Sequence, residues 1–260
     1  MFGLVMLIKV IEMMEDRQEE YESVPTFDYS SSSCDETQTV LQNSMITARS
    51  WMDYFSNDYC STYETFDQDF LDSRQYRSNY RDNLFLAQDT YWRAIYQDLA
   101  DHDFEKLKPL ADTLWSISEE YDLNRDEFAN MVVSFVQDIP YSFILDEERC
   151  SNQDPGFSCV QDERLGLLSP LEFLHTLKGD CDTRTVLLYA LFKHFNYQPK
   201  IVNSWKYLHS MLLLDVTSSG DYLKQNGQRF YFWETTSTGW QAGDVPPDMA
   251  DLSSWRIILD

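Results

Sequence analysis

The sequence predicts an α+β fold: a layer of helices packed on an antiparallel β-sheet, preceded by an irregular N-terminal extension. Three observations carry this. Apolar residues recur at helical spacing between residues 91 and 195, and short β-type runs follow from residue 200 to 259. Helices first and strands later is the order of an α+β layout, not of alternating strand–helix units. The chain has 260 residues, of which 43% are hydrophobic and 15% aromatic, enough for one sizeable core.

Residues 1–33 form an apolar start and an arm. Met1–Ile11 is apolar but too short to cross a bilayer. It lacks a basic leader and a small-residue cleavage site, so it is a poor signal peptide as written. It fits an apolar helix start or the remnant of an anchor, and any membrane association would run through it alone. Residues 12–33 are acidic and then serine-rich. Residues 34–90 are rich in aromatic residues and in Asp, Asn and Ser, without a clear period. We read short strands and loops there.

The principal domain is expected over residues 91–260. Tyr91, Ile95 and Leu99 share a helical face. A second helix runs from about Phe104 to Tyr121. Asn124 and Glu127 form a capping box for a third, which Pro140 stops. Asp122, Asn124 and Asp126 resemble the opening of a calcium loop, but Glu127 and Val133 stand where that loop needs glycine and glutamate, so a helix–helix turn is expected. A long loop holds Cys150 and Cys159. Ser169-Pro170 starts a short helix, Gly179 breaks it, and an apolar helix begins at Cys181. Strands follow at 200–205, from His209 through 211–214, at 230–233 and at 255–259. Residues 221–227 read as a loop.

The net charge is −24. Such a surface repels nucleic acid and anionic lipid, so no nucleic-acid partner is expected; it would attract a cationic partner, but the plain reading is a solvated acidic surface. No cysteine stands at zinc-ligand spacing and no histidine pair at helical spacing, so no metal or other cofactor is expected.

Five cysteines leave one over if Cys34–Cys60 and Cys150–Cys159 are bridges. The remaining thiol is Cys181. A lone cysteine is ordinarily a small buried hydrophobe, but a helix start favours reactivity. Two bridges imply an oxidising, extracytoplasmic compartment; without them the chain fits the cytoplasm equally well.

Cys181 lies in Gly179-Asp180-Cys181-Asp182, followed by His209 and then Glu234. A thiol, an imidazole and a carboxylate in this order are the parts of an activated nucleophile. The helix N-terminus stabilises a thiolate, whereas Asp180 and Asp182 work against it, so the thiolate depends chiefly on His209. Asp215 is a poorer orienter, because six residues of one strand separate it from His209.

Residues 135–141 (Phe-Val-Gln-Asp-Ile-Pro-Tyr), the Gly-Asp-Cys-Asp motif, His209 at a strand start and Trp233-Glu234-Thr235-Thr236 together resemble the transglutaminase-like superfamily, over about residues 91–240. The resemblance implies a papain-like core in which a cysteine on a central helix faces residues of neighbouring strands. It implies Cys181 as nucleophile, His209 as base and Glu234 as orienter, where the family usually has aspartate. The Cys181 N–H is an expected oxyanion donor. His175 lies where papain-type enzymes place a donor, although a surface or capping role suits it equally. Gln137 reads as structural, and Trp205, Tyr207, Trp233 and Trp240 as core rather than cleft lining.

The expected function is cysteine-dependent acyl transfer, either hydrolysing a protein or peptide amide bond through a Cys181 thioester or passing the acyl group to an amine. One alternative is a catalytically silent binding or scaffold module of the same fold. A thiol redox protein pairing Cys181 with Cys150 or Cys159 ranks lower, because no Cys-x-x-Cys motif is present.

Overall fold

The computed structural model describes residues 36–81, 86–150 and 158–260. It is a mixed α+β protein. Strands β1 (Thr37–Val40), β2 (Ser44–Met52) and β3 (Asp58–Phe66) form an antiparallel sheet in sequence order. Helices α1 (Asp67–Ser78), α2 (Gln88–Asp103), α3 (Lys108–Glu120) and α4 (Arg125–Gln137) follow. A short parallel pair, β4 (Ser142–Ile144) and β5 (Ser158–Val160), precedes α5 (Pro170–Thr176) and α6 (Cys181–His194). The main sheet comprises β6 (Lys200–Ser204), β7 (His209–Leu214), β8 (Tyr222–Gln225), β9 (Gln228–Trp233) and β10 (Arg256–Leu259). Its order is β10-β6-β7-β9-β8, antiparallel throughout.

Helix α6 is buried from Thr183 through Phe192, and from Val186 on its buried residues are apolar or aromatic on all sides, as suits a central helix. It packs on β7, whose six residues are all buried. The period-2 alternation of strands divides the sheet cleanly. Ile201, Leu212, Leu214, Tyr231 and Trp233 join the helices in one core. Val202, Met211, Leu213, Phe230 and Phe232 point to the other face, where Tyr207, Met249 and Trp255 cover them. Tyr207, Trp233 and Trp240 are thus core residues; Trp205 is half-buried and bonds Asp89 through its indole.

The N-terminal extension is more regular than expected. Its strands β2 and β3 pair over nine residues each, and Trp51, Tyr59 and Tyr63 enter the same core as the helices. Helix α1 stands where strands and loops were expected. The segment read as a loop at 221–227 contains β8, joined to β9 by Asn226-Gly227, both at positive φ. The first predicted helix starts earlier, at Gln88, and the second is split by a 3-10 turn at Phe104–Leu107. The capping boxes of α4 (Asn124 with Glu127) and α5 (Ser169 with Glu172) both form.

Cys150 and Cys159 are disulfide-bonded, with Cα atoms 5.8 Å apart. Cys34 lies outside the described residues, and with it the expected Cys34–Cys60 bridge. No helix among the described residues is long and apolar enough to cross a membrane; Met1–Ile11 is not among them.

Candidate active site around Cys181

Helix α6 starts abruptly because its entry is packed. A Cβ on Gly179 would meet the Phe173 ring and the Thr183 methyl at 2.9 Å, so no larger residue fits. Asp180 is the N-cap, accepting the Thr183 N–H at 3.0 Å. Cys181 is therefore the first helical residue, and its thiol is free and fully buried.

The sulfur has two immediate neighbours. Asp182 Oδ1 lies 4.0 Å away, and the backbone N–H of Ser210, the residue after His209, faces it. Burial raises the thiol pKa well above its ordinary value; the charges of Asp182, Asp180 and Glu234 raise it further, and the Ser210 N–H opposes them. At rest this is a thiol rather than a thiolate. Burial is the largest cause, and the two aspartates add to it, as their positions in the motif imply.

His209 opens β7 and is buried. Its Nε2 lies 2.7 Å from Glu234 Oε2. Glu234 follows the last residue of β9, and its other oxygen accepts the Thr235 N–H (2.8 Å), the Thr236 N–H (2.9 Å) and the Thr236 hydroxyl (2.7 Å). Burial alone would raise the Glu234 pKa, but His209 and these donors hold it below its usual value. Burial would likewise lower His209, yet the Glu234 charge and hydrogen bond carry it above its usual value. A carboxylate acceptor at Nε2 fixes the proton there and leaves the lone pair on Nδ1. Nδ1 is buried and has no hydrogen-bond partner among the described residues.

Three further buried groups organise the centre. Asp182 accepts the Ser210 hydroxyl and a Tyr96 hydrogen bond, and Asn203 ties Ser210 (2.9 Å) to Tyr96 (2.8 Å). Arg184 donates to four backbone carbonyls: Gly179 (3.1 Å), Val136 (2.8 Å), Thr235 (3.2 Å) and Ile139. It thereby clamps the Gly-Asp-Cys turn, the end of α4 and the segment after Glu234 into one unit. Burial lowers its pKa to about 10. Gln137 donates to the Glu234 carbonyl (2.6 Å) and the Trp240 carbonyl (3.1 Å), a structural role as expected. Of these, sequence reasoning missed Asp182, Ser210 and Arg184 as organisers.

The other candidates lie elsewhere. His175 bonds Thr65 at 2.9 Å and stacks on Phe70, 4.3 Å between ring centroids. Its contacts tie α5 to the N-terminal sheet and α1, so it is not placed as an oxyanion donor. Asp215 pairs with Arg125 at 2.7 Å and accepts the Gln198 N–H. Among the described residues no group of His, Cys, Asp and Glu is arranged to hold a metal ion.

No family model matches the chain, and no curated protein or solved structure matches it.

Proposed function

We propose that the chain is a cysteine-dependent acyl-transfer enzyme of transglutaminase-like type. Cys181 is the nucleophile, His209 the base and Glu234 the group that orients the base. The substrate is a protein or peptide amide, cleaved by water or passed to an amine through a Cys181 thioester. The observation that carries the reading is the His209 ring: one nitrogen is locked to a fully buried carboxylate, and the other is buried and unpartnered beside the residue that touches the sulfur. A histidine kept only for packing gains nothing from an unsatisfied nitrogen, which costs about 1–3 kcal/mol. A general base needs one.

The raised thiol pKa selects the form of the mechanism. The proton passes from Cys181 to His209 Nδ1 as the sulfur attacks, instead of leaving in a prior equilibrium. A central helix bearing the cysteine, packed on an antiparallel sheet bearing the other two groups, supports the papain-like reading. The Cys150–Cys159 bond supports an extracytoplasmic location.

A second reading has its own observation. Cys181 is fully buried and two aspartates oppose its ionisation, as suits a silent binding module. p-Nitrophenyl acetate separates the two. An enzyme acetylates at Cys181 faster than N-acetylcysteine reacts at the same pH, although its thiol is the less ionised, and His209→Ala abolishes the excess. Mass spectrometry locates the acetyl group. No acetyl-Cys181, or an equal rate in His209→Ala, leaves the silent module.

A further inference from the structure

The polar atoms of this fold are almost all paired, and the exceptions are informative. Among the described residues, five buried side-chain polar atoms lack a hydrogen-bond partner: Arg49 Nε, Ser61 Oγ, Tyr141 OH, His209 Nδ1 and Thr235 Oγ1. Tyr141 OH is a neighbour of the nucleophile, since the Cys181 backbone N–H faces it. Tyr141 sits between the end of α4 and β4, only 4% exposed. Its ring is held in place: Phe143 packs against it edge-on (5.1 Å), and the Arg184 guanidinium lies over it at 5.5 Å. The next residue, Ser142, donates its N–H to the Gly179 carbonyl at 3.2 Å, which fixes the tyrosine's backbone to the Gly-Asp-Cys turn.

The hydroxyl thus stands on one side of Cys181, and the Cys181 N–H, at the first turn of α6 where the helix carries partial positive charge, points at its oxygen. The hydroxyl is rigidly held, and its own proton has no acceptor among the described residues. A buried hydroxyl left in this way destabilises a fold unless something else uses it.

We propose that Tyr141 is a catalytic residue, its hydroxyl, polarised by the Cys181 N–H that points at its oxygen, donating to the oxyanion of the Cys181 reaction. This rests on the acyl-transfer reading given above and extends it to the substrate's carbonyl oxygen. In the step, the Cys181 sulfur bonds to the carbonyl carbon and the thiol proton moves to His209 Nδ1. The carbonyl π pair moves to oxygen, which accepts a hydrogen bond from the Tyr141 hydroxyl. When the carbonyl re-forms, the leaving group departs: p-nitrophenolate from the ester probe, or an amine that takes the proton back from His209. The donor acts on charge that exists only after attack, which is what makes such a site catalytic.

The test compares two reactions of Cys181 in the full chain. Acetylation by p-nitrophenyl acetate passes through an oxyanion; alkylation by iodoacetamide is a displacement at carbon and does not. Tyr141→Phe removes one donor, so acetylation should slow by about 10²-fold or more, while alkylation stays within about twofold. Melting temperature supplies the second reading. Deleting an unsatisfied buried hydroxyl should leave Tyr141→Phe as stable as the parent or more so, whereas a hydroxyl with a structural partner would make it less stable. Should the phenylalanine variant fail to fold, 3-fluorotyrosine at 141 keeps the shape with a more acidic phenol, and acetylation alone should accelerate. Unchanged acetylation, or an equal loss in both reactions, removes Tyr141 from the chemistry while leaving Cys181 as nucleophile. A parent protein that acetylates no faster than a free thiol ends the acyl-transfer reading itself, and this proposal with it.

Discussion

Two of the buried charged centres among the described residues are built on opposite principles. At the first, Arg77 of α1 lies fully buried between Glu172 and Glu163. Its Nε and one terminal nitrogen bond Glu172 (2.6 and 2.8 Å), the same terminal nitrogen also bonds Glu163, and the other donates to the Arg164 carbonyl (2.9 Å). Glu172 also accepts the Ser169 N–H as part of the α5 capping box. Nothing is left over. At the second, around Cys181, His209 and Glu234, the supports are equally complete but two buried polar atoms, His209 Nδ1 and Tyr141 OH, have no hydrogen-bond partner among the described residues. A closed network joins α1 to α5 and serves the fold. An open one keeps polar capacity in reserve, at a cost in stability.

The largest expected effect tests the closed centre. Arg77→Met leaves the buried Glu172 without its cation, and Glu163 with only Arg74 3.4 Å away, and should destabilise the protein by about 3–5 kcal/mol, read from urea or thermal unfolding. At temperatures where the variant is folded, Cys181 should acetylate at the parent rate. A parallel loss of Cys181 reactivity would mean that the two centres are one coupled unit, and the contrast would fall.

The open centre answers to Glu234→Gln. The amide keeps the shape but loses the charge that supports the imidazolium, and it permits the wrong tautomer. In a serine protease the equivalent change costs about 10⁴-fold. Here acetylation of Cys181 should slow by about 10²-fold or more, with a smaller change in stability than Arg77→Met. The pH dependence should move as well. Without the charge that raises His209, the rise in rate with pH should start lower. An unchanged rate and profile would leave Glu234 a polar strand-end residue.

How much of this was legible in the sequence depends on where each signal lies. The His209–Glu234 pair could be read from motif order, because strand starts and ends were visible in the apolar runs that bound them. Helix α1 could not be read from periodicity: its buried residues are Ser73 and Arg77, so its inner face carries no apolar stripe. Strand β8 was legible in principle, since Asn226-Gly227 between two short runs is a strong hairpin signal. Arg184 was beyond reach, because its acceptors are backbone carbonyls of four separated segments, and a carbonyl leaves no mark on residue type. Tyr141 stood within a recognised motif, but its role depends on an unmade hydrogen bond.

The smallest effect concerns the burden that the open centre carries, and it has a definite sign in pH. Burial and the nearby Asp182 charge push Asp180 up to about 7, against its bonds to Thr183. An acid whose folded pKa lies above its unfolded value of 3.8 contributes stability that is full below 3.8 and lost as pH rises towards 7. His209 slopes the same way: raised above 6.5, it contributes stability that is present below 6.5 and lost as pH climbs through its folded value. Glu234, lowered from 4.5, slopes oppositely but only on the acid side. Stability should therefore decline from about pH 4.5 to 7 through Asp180, and further above 6.5 through His209. Asp180→Asn removes the Asp180 contribution while keeping the helix cap, because asparagine caps as well as aspartate. It should gain on the order of 1–3 kcal/mol at pH 8 and nothing near pH 3, below the unfolded value. With one opposing charge gone, the Cys181 thiol should also ionise more readily and alkylate faster. Thermal unfolding of both proteins across this range tests the first claim, and the alkylation rate tests the second. A uniform gain at every pH would mark a packing effect. A loss at pH 8 would show that the carboxylate supports the Gly-Asp-Cys turn, and that the open centre is less burdened than its unpaired atoms imply.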